Sequence, residues 1–119
     1  MQSSIRVLIA DDRPRSRKGM KALLSTWSEV EVVGEVLNGH EAVDFCEIHK
    51  PDVVLMDAQM PVKDGIKATR CIKDKWPEIK VIVLSIYRTY EEDAREAGAD
   101  AFFEKGCPTK WLLNAITEP

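Results

Sequence analysis

Three short runs dominated by apolar, often β-branched residues punctuate the chain: IRVLIA at 5–10, VVLM at 53–56 and VIVL at 81–84. Their length and composition predict strands, and their continuity predicts burial on both faces. VEVVGEV at 30–36 predicts a further, more exposed strand, and AFFE at 101–104 a short fifth one. Between these runs the apolar positions switch to helical spacing. Met20, Leu23, Leu24 and Trp27 share one face, as do Ala42, Phe45 and Cys46 after the Asn-Gly pair at 38–39. Ile66, Thr69, Ile72 and Trp76 mark a helix with Asp64 as its cap; Tyr90, Ala94 and Ala97 mark a weaker one. Leu112, Ala115 and Ile116 mark the last, with Pro108 at its first position. Five strands alternating with five helices predict a parallel sheet covered on both faces, because each right-handed crossover lays a helix against the sheet.

Composition narrows the class. At 119 residues, 45% hydrophobic and 31% charged, the chain is expected to form a single domain over 1–119, with no linker or repeat. A formal net charge of −3 leaves no basic footprint, so direct nucleic-acid contact and an anionic membrane surface are both disfavoured. No apolar run approaches the roughly 20 residues of a membrane span. The N-terminus lacks a secretory layout, so a cytoplasmic location is expected. Cys46, Cys71 and Cys107 are odd in number and scattered, which predicts reduced thiols. His40 and His49 lie in a polar stretch without ligand partners and are expected at the surface, as is EEDARE at 91–96.

The chemistry collects where the predicted strands end. VVLMDAQMP runs four apolar residues straight into Asp57, with Met-Pro close behind. A lone Asp at a strand end is usually a turn former. In an open parallel sheet, however, ligands sit at the carboxyl ends of the strands, and there this chain places Asp11, Asp12, Asp57, Ser85 and Lys105. Singly, the acid pair could cap a helix, Ser85 could close a turn and Lys105 could be a solvated charge. Together they describe a site. Three adjacent carboxylates stay ionised at neutral pH only beside a cation, and oxygen ligands favour Mg²⁺. Such an ion would let the Asp57 carboxylate approach an anionic phosphoryl group as a nucleophile.

These features resemble the receiver domain of two-component response regulators over essentially the whole chain. The matching segments are DD at 11–12, Asp57 followed by Met-Pro and Gly65 in DAQMPVKDG, LS at 84–85, GAD at 98–100 and FFEKG at 102–106. The resemblance implies a doubly wound, flavodoxin-like sheet of strand order 2-1-3-4-5. It implies that Asp57 accepts a phosphoryl group from a sensor histidine kinase. Asp12 and Asp57 would bind Mg²⁺ directly, Asp11 largely through water, and the Gln59 backbone carbonyl would add a ligand. Lys105 would pair with a phosphoryl oxygen and Ser85 would donate to another. Phe102 would occupy the aromatic switch position, altering the surface of helix four, strand five and helix five. Gln59 and Tyr87 occupy positions that tune dephosphorylation, and the bulk of Tyr87 implies slow loss of the group.

DDRPRSRKGMKALL and KGCPTKWLLNAI are most similar to receivers of the NarL/LuxR type, which precede a helix-turn-helix DNA-binding domain. No such output domain lies within these 119 residues. Transcription regulation is the implied output. Pairing of two copies on phosphorylation, through helices one and five or four and five, is the implied response. Gly106 stands where many receivers carry proline after the lysine, and Phe102 lacks a tyrosine hydroxyl.

Three rival readings fit less well. A flavin binder would need hydroxyls and free N–H groups at the first strand-to-helix turn, which offers DDRP instead. A phosphatase with an aspartyl intermediate would place a second acid just beyond the nucleophile, where Gln59 stands. A receiver acting only as a binding module would not need all five positions filled with reactive groups. The chain is therefore expected to be a phosphoacceptor rather than a multiple-turnover enzyme.

Overall fold

The computed structural model describes residues 4–119; residues 1–3 of the expected domain lie outside that description. Five strands form one sheet: β1 Ile5–Ala10, β2 Val30–Val36, β3 Val53–Asp57, β4 Lys80–Ser85 and β5 Ala101–Glu104. The helices are α1 Pro14–Leu24, α2 Gly39–His49, α3 Gly65–Lys75, α4 Glu91–Glu96 and α5 Thr109–Thr117, with a 3₁₀ turn, Arg88–Tyr90, leading into α4. The strand order is β2-β1-β3-β4-β5 and every pairing is parallel. This is the doubly wound, flavodoxin-like order implied by the sequence, and the order reverses between β1 and β3.

Alternation along the central strands divides the core in two. Val7, Ile9, Val53, Leu55, Ile82 and Leu84 face α1 and α5, where Leu24, Leu112 and Ile116 complete one cluster. Leu8, Ala10, Val54, Met56, Val81 and Val83 face the other way, packing with Ala42, Cys46, Ala68, Ile72 and Ala94. All five residues of β3 are buried, as expected for a strand covered on both faces. The edge strand β2 is mostly half-buried, and its register against β1 shifts between Val7 and Leu8, leaving Val33 unpaired beside Gly34.

Local chemistry starts the helices where the sequence suggests. Asn38 accepts from the Glu41 N–H at 2.8 Å, and Glu41 returns an acceptor to the Leu37 N–H at 2.8 Å. Asp64 caps α3 by accepting from the Lys67 N–H at 2.9 Å. Two boundaries differ from the sequence pattern. Pro108 precedes α5 as its cap, because ψ of 132° there is extended and the helix begins at Thr109. Trp76 lies at the cap of α3 rather than within it, yet it still packs half-buried against the cluster that holds Ile72; its ring takes the Lys50 ammonium at 5.0 Å. Among the described residues no helix is long and apolar enough to cross a membrane.

Candidate phosphoacceptor site

β1 and β3 are neighbours, so their ends deliver Asp11, Asp12 and Asp57 to one place. Each offers a carboxylate oxygen, and these three atoms lie within 4.8 Å of one another. Asp11 and Asp57 are each only 5% exposed. β4 lies next to β3 in register Asp57↔Leu84, which puts Ser85 one residue beyond the acid on the adjacent strand. Lys105 follows β5 directly, and its N–H donates to the Ser85 carbonyl at 2.8 Å.

Gly65 sets the depth of the site. A Cβ there would lie 1.9 Å from the Asp57 carbonyl oxygen, so only glycine lets the start of α3 approach the strand end. Its N–H donates to the Ala58 carbonyl at 3.0 Å, closing the loop that Met60 and Pro61 traverse. Gly106 lies at φ +92° after Lys105, a conformation suited to glycine, and every peptide bond among the described residues is trans.

The lysine ammonium is the cationic partner of the cluster. Lys105 Nζ donates to Ser16 Oγ at 3.1 Å, Asp11 Oδ2 at 3.2 Å and Asp57 Oδ2 at 3.4 Å. Burial acts to raise the Asp11 carboxyl, but donors from Ser16 and the Arg13 N–H, with the Lys105 charge, outweigh it and hold Asp11 below the ordinary 3.8. At Asp57 burial prevails: its carboxyl rises above 3.8 despite Lys105 and the Gln59 N–H, and the Asp11 charge adds to the rise. A further cation beside Asp57 would oppose that rise. Asp12 Oδ1 is buried and has no hydrogen-bond partner among the described residues. A buried anionic oxygen without a donor is costly, and a hard divalent cation is the group this all-oxygen set would satisfy.

The remaining expected residues surround this cluster. Ser85 is 2% exposed and its Oγ accepts from the Tyr87 N–H at 3.0 Å. Phe102 pairs with Val83 in β5 and packs, half-buried, on the cluster that also holds Tyr90 and Ala94. Gln59 donates its N–H to Asp57 Oδ1 at 3.2 Å, while its side-chain amide donates to the Tyr90 hydroxyl at 2.7 Å. Tyr87 is 52% exposed and its ring lies 6.5 Å from that of Tyr90. His40 pairs at the surface with Asp44, and His49 lies against Phe45; both stand apart from the acid cluster.

Two contributors escaped the sequence. Ser16, two residues into α1 beyond Pro14, reaches Asp11 Oδ2 at 2.6 Å. Tyr90 reads as a core position from its spacing, yet its hydroxyl crosses to Gln59. For Ser16 the available signal was a lone hydroxyl flanked by Arg15 and Arg17 in the turn that follows the acid pair.

Comparison with known proteins agrees with this geometry. The model of the response regulator receiver domain family matches residues 7–117. The chain belongs to that family. The receiver is 35% identical over 117 residues to the transcriptional regulatory protein DegU of Brevibacillus brevis, covering 97% of the chain and 50% of that protein. It spans about half the length of the curated relatives it matches. Among solved structures, the signal receiver domain of the NarL response regulator of Mycobacterium tuberculosis superposes with a TM-score of 0.89 at 28% identity, covering 98% of this chain and 99% of that one. The receiver domain of the sensor histidine kinase PA1611 of Pseudomonas aeruginosa, which has a magnesium ion coordinated in its active-site cleft, superposes at 0.84 with 25% identity, covering 96% and 95%. The NarL match accords with the NarL/LuxR-type resemblance. The chain is thus the receiver domain of a two-component response regulator, a signalling module by family.

Proposed function

We propose that this receiver takes a phosphoryl group on Asp57 from the phosphohistidine of a sensor kinase, with Mg²⁺, and uses it to control a transcription-regulating output. What supports this above all is a nearly buried carboxylate at a strand end, facing Lys105 at 3.4 Å, in a cluster where Asp12 carries an oxygen without a partner. Asp11, Asp12, Asp57 and the Gln59 carbonyl would hold the metal, consistent with the magnesium-bearing cleft of the PA1611 receiver. When bound, Mg²⁺ supplies the positive charge that lets two anions meet.

The chain's own residues do the rest. Asp57 attacks phosphorus in line with the donor nitrogen; the O–P bond forms as the N–P bond breaks, and the imidazole leaves with the bonding pair. Lys105 neutralises one phosphoryl oxygen. Ser85 exchanges the Tyr87 N–H for a phosphoryl oxygen to which it donates, and the space it leaves admits Phe102. The α4-β5-α5 surface then changes shape and favours a partner fitted to the new form. Gln59 and Tyr87 limit water at the acyl phosphate, giving slow intrinsic loss. A helix-turn-helix domain outside these 119 residues, implied by the resemblance to NarL/LuxR-type receivers, is the proposed output, with pairing of copies on phosphorylation and a cytoplasmic setting.

Incubation with acetyl phosphate and Mg²⁺, followed by intact mass and hydroxylamine treatment, tests the reading. One hydroxylamine-labile phosphoryl group per chain is expected, absent in Asp57→Asn and without Mg²⁺. A folded wild type that gains no such group contradicts the proposal.

A further inference from the structure

We infer that Ser16 is a positioning residue that fixes where the Lys105 ammonium stands in the site. The inference rests on Lys105 serving phosphoryl transfer to Asp57, and it concerns what aims that lysine. Lysine can only donate, so the 3.1 Å contact makes Ser16 Oγ the acceptor, and the serine proton must then go to Asp11 Oδ2 at 2.6 Å. The hydroxyl is therefore oriented from both sides. Lys105, Ser16 and Asp11 close a triangle, and the ammonium's longest contact, 3.4 Å, is the one to Asp57. The cation is drawn toward β1 and α1, leaving the nucleophile's lone pairs available.

Packing does not replace this tie. Next to the lysine lies a cavity of about 270 Å³ bounded by Ser16, Met20, Leu84, Lys105, Gly106 and Leu112. It continues over Gly19, where an added Cβ would meet no atom within 4 Å. The stem of Lys105 thus has room to swing, and three polar contacts hold its head. Only Ser16 among them is uncharged, so it steers without binding the ammonium as an ion pair. α1 is itself anchored to the strand end by Arg17, whose guanidinium donates to the Asp11 carbonyl at 2.9 Å and pairs with Glu35 at 3.4 Å. That anchorage makes Ser16 a fixed reference for the lysine. Without the hydroxyl, one ammonium N–H loses its acceptor and turns to water, the head moves into the adjoining cavity, and the charge leaves the position suited to a phosphoryl oxygen.

Ser16→Ala keeps a good helix former and is expected to fold. Its maximal rate of phosphorylation at saturating acetyl phosphate and Mg²⁺ should fall about tenfold, with half-saturation changed less than about twofold, because a misplaced charge acts on the transition state. Ser16→Thr, which restores the hydroxyl, should recover most of the rate. A rate in Ser16→Ala equal to wild type, or no recovery in Ser16→Thr, overturns the inference. A second readout needs no phosphorylation: in ¹⁵N-lysine-labelled protein, exchange of the Lys105 ammonium protons with water should rise severalfold in Ser16→Ala. Unchanged exchange overturns the positioning role, even if the Asp57 reading itself fails the acetyl phosphate test.

Discussion

At the scale of single residues, the site opposes burial to charge. Asp57 sits above its ordinary pKa because burial disfavours its anion, so its favourable contribution is full below the unfolded value and is lost as pH rises through the folded one. Asp11, held below its ordinary value, contributes in the opposite sense: its share is present above the unfolded value and is lost as pH falls. Metal-free Asp57→Asn is therefore expected to be more stable than wild type at neutral pH, by about 1 kcal/mol or a few degrees in Tm. The advantage should vanish in acid and shrink in excess Mg²⁺, which thermal melts across pH will show. Cys46 makes a second residue-scale prediction. Burial pushes its thiol up to about 12. Ellman's reagent should leave it unreacted in native protein and label it on unfolding.

At the scale of elements, glycine and tyrosine join the site to its supports. Gly65→Ala forces a Cβ onto the Asp57 carbonyl, so α3 must withdraw or the strand end must shift. Destabilisation of at least about 2 kcal/mol in urea is expected, with phosphorylation impaired together with it. Tyr90→Phe removes the 2.7 Å bond that ties the 3₁₀ turn to Gln59 while keeping the ring. It should lower stability by about 1 kcal/mol and speed hydrogen exchange in residues 86–96 more than elsewhere. The strands and long helices were legible because burial imposes a period on sequence: VVLM at 53–56 is apolar on both faces, and Asn38 and Asp64 announce their helices. The 3₁₀ turn and six-residue α4 were faint, since Ala94 and Ala97 are the small residues that turn inward and charged residues fill the exposed positions.

At the scale of the whole molecule, topology made the candidate site readable. A parallel order β2-β1-β3-β4-β5 brings all carboxyl ends to one end of the sheet, so residues 11, 12, 57, 85 and 105 gather there although they are scattered in sequence. Contacts made by one side chain's reach, such as Ser16 to Lys105 and Gln59 to Tyr90, carry no periodic signature and emerge only once the elements are packed. The register slip at Val33 is likewise local geometry that alternation does not encode. At this scale we propose that the carboxyl end of the sheet is a magnesium-dependent phosphoryl acceptor centred on Asp57. Borohydride reduction of protein treated with acetyl phosphate, followed by peptide mapping, tests it most directly, because an acyl phosphate is converted to homoserine where it stood. The account predicts homoserine at position 57 with Mg²⁺ and none after chelation. Reduction at another position, or none in folded protein with Mg²⁺ present, would contradict it.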